Sequence, residues 1–301
     1  MPTITVQNIT KKFASQIAVD NVSFDVDAGE IFGLLGPNGA GKTTCIRIIL
    51  DIFKADSGTV SILGGPMSEE KKNKIGYLPE ERGLYQDIPL ERCLLYLATL
   101  KGMETSAAQE RINSYLDRFD LAEFRKKKVK ELSKGMQQKA QLITTLVHQP
   151  QVIVIDEPFS ALDPVNTQMV KDLLREERDA GKTIIMCTHQ MHQVEELCDR
   201  LVLIDHGQSM LYGTLHDIRQ QFAKPAVALS TPDALPLSLP GVDKITHENG
   251  DYTLYLLPGK STQELLQNLV KLNIRVEKYE IAMPTLDEIF IDVVQKQGVT
   301  Q

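Results

Sequence analysis

The chain has 301 residues, 42% of them hydrophobic and 24% charged, which places it among ordinary globular proteins with one large domain or two smaller ones. A formal net charge of -7 removes any overall attraction for nucleic acid, and contact with an anionic membrane would need a local basic patch. The four cysteines, Cys45, Cys93, Cys187 and Cys198, show no metal-like pairing, so a reduced, cytosolic compartment is expected.

The start, MPTITVQNIT, lacks the basic and apolar regions of a signal peptide, and no apolar run reaches the roughly 20 residues of a spanning helix. A soluble protein is expected, reaching a membrane only through another chain. From Thr3 to Val26 short β-rich pieces precede the strand EIFGLLG, a glycine-rich loop and the helical segment TTCIRIILDIF. SGTVSILG reads as a further strand, followed by a polar stretch and the extended piece KIGYLP. The pattern from about 88 to 150 is helical, with Ile112, Leu116 and Phe119 on one face and Met136, Ala140, Ile143 and Val147 on another. RKKK, Arg125 to Lys128, is expected to be a solvated helix end.

The core resumes with the buried strand QVIVIDEP, the helix VNTQMVKDLLREERDA stopped by Gly181, the strand TIIMCTH and a strand pair around LVLIDHGQSMLYG. Strands that alternate with helices, each near-continuously apolar, predict an α/β core with a mostly parallel sheet covered on both faces. Around Leu215 to Pro225 the sequence shifts to what reads as loops rich in Pro and Ser, the expected boundary between a domain over 1-214 and a small α+β domain over 215-301. In the latter, KITHENGDYTLYLL predicts a hairpin turned at Asn249-Gly250. Ser261 with Glu264 and Thr285 with Glu288 have capping-box spacing.

The loop Gly36-Pro37-Asn38-Gly39-Ala40-Gly41-Lys42-Thr43-Thr44 carries the first chemical signal. A loop that wraps a phosphate turns its N–H groups inward, at φ angles that glycine takes cheaply, hence Gly36, Gly39 and Gly41. Lys42 can then reach the terminal phosphates, Thr43 offers a hydroxyl to Mg²⁺, and the helix start favours the anion. A flexible strand-to-helix turn is the alternative. The second signal is VIVIDEP, where Asp156 can hold the Mg²⁺ shell and Glu157 can polarise a water. The third is ELSKGMQQK, where Ser133 and Gly135 stand at a helix start, either a second anion site or an ordinary cap.

Phosphate loop, helical lobe, LSKGM, Asp-Glu strand, SALDP and a strand ending in His: this order resembles the ATP-binding subunits of ATP-binding cassette (ABC) transporters over about Thr3 to Gly213. The resemblance implies a phosphate-loop ATPase core with an antiparallel β part and an inserted helical lobe. It implies ATP and Mg²⁺ as ligands, with Phe13 stacking on adenine, Ser133 and Gly135 in the LSGGQ-like segment, and His189 as the switch histidine. It places Glu80, in YLPEERGLY, where the family usually has Gln, with an oxygen still available to Mg²⁺. The YLPEERGLY and LSKGMQQK wording and the C-terminal extension ending in PTLDEIF resemble the bacterial subgroup that includes sodium-exporting ABC ATPases. The resemblance further implies a homodimer that sandwiches ATP, a separate integral membrane permease, peripheral residence on the inner face of the membrane and a lean towards export. Two rival readings are a soluble ABC ATPase working on nucleic acid or ribosomes and a nucleotide-gated scaffold without hydrolysis. The first lacks long coiled coils or a second cassette, and the second is weakened by Glu157 and His189.

Overall fold

Alternating apolar residues shape the first two strands, β1 (Pro2–Phe13) and β2 (Gln16–Asp27), which pair antiparallel and bury Ile4, Val6, Ile9, Val19, Val22, Phe24 and Val26. The computed structural model describes residues 2–14, 16–81, 83–223, 225–236, 238–248 and 250–298. The chain divides into two compact units, residues 1–215 and 216–301.

In the first unit β3 (Ile31–Leu35), buried at every residue, leads through the glycine-rich loop to α1 (Lys42–Ile49). The helical pattern through Phe53 stops early. Asp51 takes a left-handed φ of 60°, and the N–H groups of Ile52 and Phe53 both return to the Arg47 carbonyl, closing the helix end. β4 (Ser57–Ile62) then adds to β1, completing a three-stranded antiparallel sheet in the order β2-β1-β4.

α2 (Glu69–Lys72), capped by Ser68, precedes β5 (Ile75–Leu78). The next, helical stretch holds α3 (Leu90–Leu100), α4 (Thr105–Arg118) and α5 (Lys134–Leu146), packed on one another through residues such as Leu94, Ile112, Leu116 and Ile143. Arg125 to Lys128 follows a 3₁₀ turn (Ala122–Phe124), which Arg125 ends, and leads into another (Val129–Glu131); Lys126 to Lys128 are exposed as expected, while the Arg125 guanidinium reaches back to Asn113 and Glu91.

β6 (Val152–Asp156), α6 (Pro164–Asp179), β7 (Thr183–Thr188), α7 (Met191–Leu197), β8 (Arg200–Asp205) and β9 (Gln208–Thr214) complete the unit. The second sheet has six strands in the order β5-β6-β7-β3-β8-β9, parallel except where β9 turns back along β8. β3, β6 and β7 are buried throughout, as the continuous apolar runs require of a doubly covered parallel sheet. All four cysteines are buried, Cys198 just beyond the end of α7 rather than inside an element. Among the described residues no helix is long and apolar enough to cross a membrane.

The second unit corrects the reading of loops after Leu215. α8 (Leu215–Phe222) is a helix, and β10 (Ala226–Ser230) is a strand of a four-stranded antiparallel sheet. The prolines misled because Pro225 and Pro232 lie outside β10, bounding a short strand in which Val227 and Leu229 alternate into the core. β11 (Val242–Glu248) and β12 (Asp251–Leu256) form the expected hairpin, paired as far as Glu248 with Asp251, and Asn249 of its turn lies outside the described residues. With α9 (Thr262–Lys271), β13 (Lys278–Ile281) and α10 (Leu286–Gly298) the sheet runs β11-β12-β10-β13, and Leu265 and Leu269 of α9 join Val227, Leu229 and Leu254 in its core. The capping at Thr285 is reciprocal: its Oγ1 accepts from the Glu288 N–H at 3.2 Å and its N–H donates to Glu288 Oε2 at 2.9 Å.

Candidate nucleotide site

The strand order β6-β7-β3 brings three carboxyl ends side by side, the edge at which open α/β sheets bind ligands. Leu35 pairs with Thr188 and Cys187 with Asp156, so Gly36, His189 and Glu157 each begin the chain beyond adjacent strands. Residues far apart in sequence are thereby collected by register alone.

The loop from Gly36 to Gly41 is fixed by glycine. Gly36 (φ 147°) and Gly41 (φ 105°) adopt angles closed to other residues, and a Cβ would strike the Ile204 carbonyl oxygen at the first and the Ala18 carbonyl oxygen at the second. Gly207 clasps the loop, its N–H donating to the Ala40 carbonyl at 2.9 Å. Lys42, buried, folds its ammonium over the loop, donating to the Gly36 carbonyl at 2.7 Å and the Pro37 carbonyl at 3.0 Å. Asn38 and Gly39 are exposed at the tip, Ala40 is buried, and Thr43 and Thr44 lie on the first turn of α1.

Thr43 Oγ1 donates to Asp156 Oδ2 at 3.0 Å, joining the loop helix to the end of β6. Burial raises the Asp156 carboxyl above the ordinary carboxylate value, against the lowering effect of hydrogen bonds from Cys187 and Thr43. Two hard oxygen donors side by side suit a magnesium ion that takes one or two protein ligands and completes its shell with phosphate and water. Among the described residues no cluster of three or more His, Cys, Asp or Glu could hold a metal independently of such a ligand.

Glu157 sits at φ 50°, a conformation that costs a non-glycine residue energy and here turns its side chain back across the strand ends. Its Oε1 accepts from the His189 N–H at 3.0 Å and lies 2.6 Å from His189 Nδ1, while Oε2 accepts from Thr188 Oγ1 at 3.2 Å. The carboxylate is thus oriented by three donors, one of them an imidazole whose side chain is 48% exposed.

The structure brings together Lys42, Thr43, Asp156, Glu157 and His189. It does not bring Phe13, Glu80, Ser133 or Gly135 into hydrogen bonds with them. Phe13, 43% exposed, packs edge-on against Phe53 at 5.4 Å between ring centres. Glu80 is exposed on the loop after β5. Ser133 caps α5, its Oγ accepting from the Met136 N–H at 3.2 Å, and Gly135 lies so close to Ala161 that a Cβ would stand 3.0 Å from that carbonyl oxygen. Sequence reasoning missed Thr188, whose signal was a hydroxyl directly before the strand-end histidine. It also missed Gln138, which donates to the Pro158 carbonyl at 3.2 Å and steadies the turn beyond Glu157.

Comparison with known proteins shows the family of the chain. The family model described as ABC transporter matches residues 19–160, and that described as ATP-binding protein DrrA1-3-like, C-terminal domain, matches residues 213–294. YhaQ of Bacillus subtilis (strain 168), named as an uncharacterized ABC transporter ATP-binding protein, is 38% identical over 97% of this chain and 98% of its own. The chain belongs to the ABC transporter ATP-binding proteins. A further ABC relative, Nod factor export ATP-binding protein I of Burkholderia lata, is 35% identical over 78% of each chain. A solved structure entitled "Structure of ATP binding subunit of ABC transporter" superposes with a TM-score of 0.69 at 32% identity, covering 73% of this chain and 93% of that one. As an ABC ATP-binding subunit the chain binds and hydrolyses ATP, and the family seen in the order of its motifs is the family it matches.

Proposed function

We propose that this ABC subunit powers export through a separate membrane permease, working as a homodimer with ATP and Mg²⁺ between the copies. The observation that carries this reading is the tight group of Lys42, Thr43–Asp156 and Glu157–His189 at three adjacent strand ends. Thr43 and Asp156 would hold Mg²⁺, with Glu80 joining from the loop after β5. When bound, the metal neutralises charge on the phosphates and eases transfer of the γ-phosphoryl group. The loop amides and Lys42 bind the phosphates on one side. Ser133 and the positive start of α5, which make no hydrogen bond to that group in their own subunit, suit the second copy's nucleotide.

Glu157 holds the attacking water. Thr188 and the His189 N–H keep its carboxylate aimed, and rotation of the exposed His189 ring frees Oε1 for that water and carries the imidazole to the phosphate. Phe13 provides an exposed ring for the adenine. On α3, a cavity of about 480 Å³ lined by Tyr85, Ile88, Arg92, Leu95, Tyr96 and Thr99 suits a permease element, and Tyr85 and Tyr96 stand 51% and 47% exposed there. A location on the inner face of the membrane goes with that partner, and export goes with the name of the Nod factor relative. The acidic balance favours no nucleic-acid role.

The test is Glu157→Gln. It should bind ATP, accumulate as a dimer in sedimentation with saturating magnesium nucleotide, and turn over about 10² to 10⁴ times more slowly. A variant that stays monomeric at saturation removes the sandwich, and undiminished turnover removes Glu157 from its role.

A further inference from the structure

Three polar side chains, Gln138, Gln141 and Thr145, are each no more than 4% exposed on α5, spaced as one face of the helix. A helix face buried this deeply is ordinarily apolar, so each of these groups has to find a partner. The two glutamines find backbone carbonyls just beyond two neighbouring strands, whereas the Thr145 hydroxyl turns back to the Gln141 carbonyl of its own helix at 3.0 Å. Gln138 Nε2 donates to the Pro158 carbonyl beyond β6. Gln141 Nε2 donates to two carbonyls, Pro79 at 3.3 Å and Glu81 at 3.1 Å. These flank Glu80 on either side, so one amide group grips the short segment that presents this carboxylate. The other end of the Gln141 side chain, Oε1, is buried and has no hydrogen-bond partner among the described residues. A buried acceptor left open costs free energy, and that cost is borne where the donating half of the amide has a task.

We infer that Gln141 is a positioning residue for Glu80: by holding the Pro79 and Glu81 carbonyls it fixes the loop so that the Glu80 carboxylate meets the metal on the nucleotide. α5 begins just after Ser133, so the helix that would touch the second copy's nucleotide also sets the acid that serves its own. Closure of the dimer on Ser133 is thereby coupled to Glu80 through one rigid helix. The inference rests on the reading of Glu80 as a magnesium ligand and adds the residue that aims it.

The experiment is calorimetric binding of the non-hydrolysable ATP analogue AMP-PNP to the full chain, with excess Mg²⁺ and with EDTA. The ratio of the two dissociation constants is the magnesium-linked gain in affinity. Gln141→Met, which conserves length and removes both donors, should lower that gain about tenfold, as loss of an orienting partner does at metal sites, while leaving the EDTA affinity unchanged. Glu80→Ala should lower it similarly, and the double variant should lose no more than either alone. Gln141→Asn, too short to span both carbonyls, serves should the methionine variant fold poorly. A loss of equal size in Mg²⁺ and in EDTA, or additive losses in the double variant, overturns the positioning role. Should Glu80→Ala lower the gain while both Gln141 variants keep it, the inference falls and the reading of Glu80 stands. An unchanged gain in Glu80→Ala overturns both.

Discussion

The surroundings of Asp156 disfavour its charged form. At 1% exposure its carboxylate has lost nearly all water, and burial outweighs the hydrogen bonds that favour the anion. Because its pKa is higher folded than unfolded, Asp156 contributes most to stability when protonated, below the ordinary value of 3.8, and that contribution is lost as pH rises through the raised value. Ionising the group in the folded chain therefore costs stability, a cost that a bound cation would relieve. Asp156→Asn should raise the thermal transition of the nucleotide-free protein by about 2 °C or more. It should also abolish the magnesium-linked gain in nucleotide affinity. Scanning calorimetry checks the first and titration the second; a lower transition would mean that the Thr43 and Cys187 bonds outweigh desolvation.

Helix α5 shows the same economy at the scale of an element. Its first turn is capped by Ser133, its middle grips the loops of Glu80 and Glu157, and beyond its last turn His148 Nε2 lies 3.1 Å from the Ile75 carbonyl of β5. Burial, with the nearby Lys101 charge second, pushes the His148 imidazole down to about 4 from its usual 6.5. The histidine is neutral when folded and takes a proton more readily when unfolded. Its contribution to stability is full above pH 6.5 and is lost as pH falls to about 4, at a slope of up to about 1.4 kcal/mol per unit. Denaturant unfolding across that window should show the slope in the parent and a flatter profile in His148→Gln. Identical profiles would assign the acid lability elsewhere.

At the scale of the molecule, the chain is two units with separate cores, one built around Val6, Phe32, Ile46 and Val154 and the other around Val227, Leu254 and Leu269. Separate cores allow separate unfolding. A chain ending at Leu215 should fold and bind ATP with unchanged affinity, since every group clustered at the strand ends precedes that residue. If the second unit supports pairing, the truncated Glu157→Gln protein should need a higher nucleotide or protein concentration to sediment as a dimer. Equal dimerisation of truncated and full-length forms would deny it that role.

The sequence alone determined what local chemistry determines. The GPNGAGKTT loop, the buried runs IFGLL, VIVID and TIIMCT, and the caps at Ser133, Ser261 and Thr285 are written within a few residues of one another, in backbone angles, burial period and cap geometry. The order of such signals was enough to indicate the family. Local reading failed where a partner far along the chain decides the outcome. β10 looked like a proline-rich loop because its neighbours β12 and β13 begin only at Asp251 and Lys278, with a hairpin strand and a helix in between. Gln138, Gln141 and Thr188 looked like ordinary polar residues because the carbonyls and the carboxylate they serve lie in loops beyond other strands, far along the chain. Only sheet register puts Glu157 against His189 and Thr43 against Asp156. Hydrogen bonding between strands, which ignores distance along the chain, is what turned separate motifs into one site.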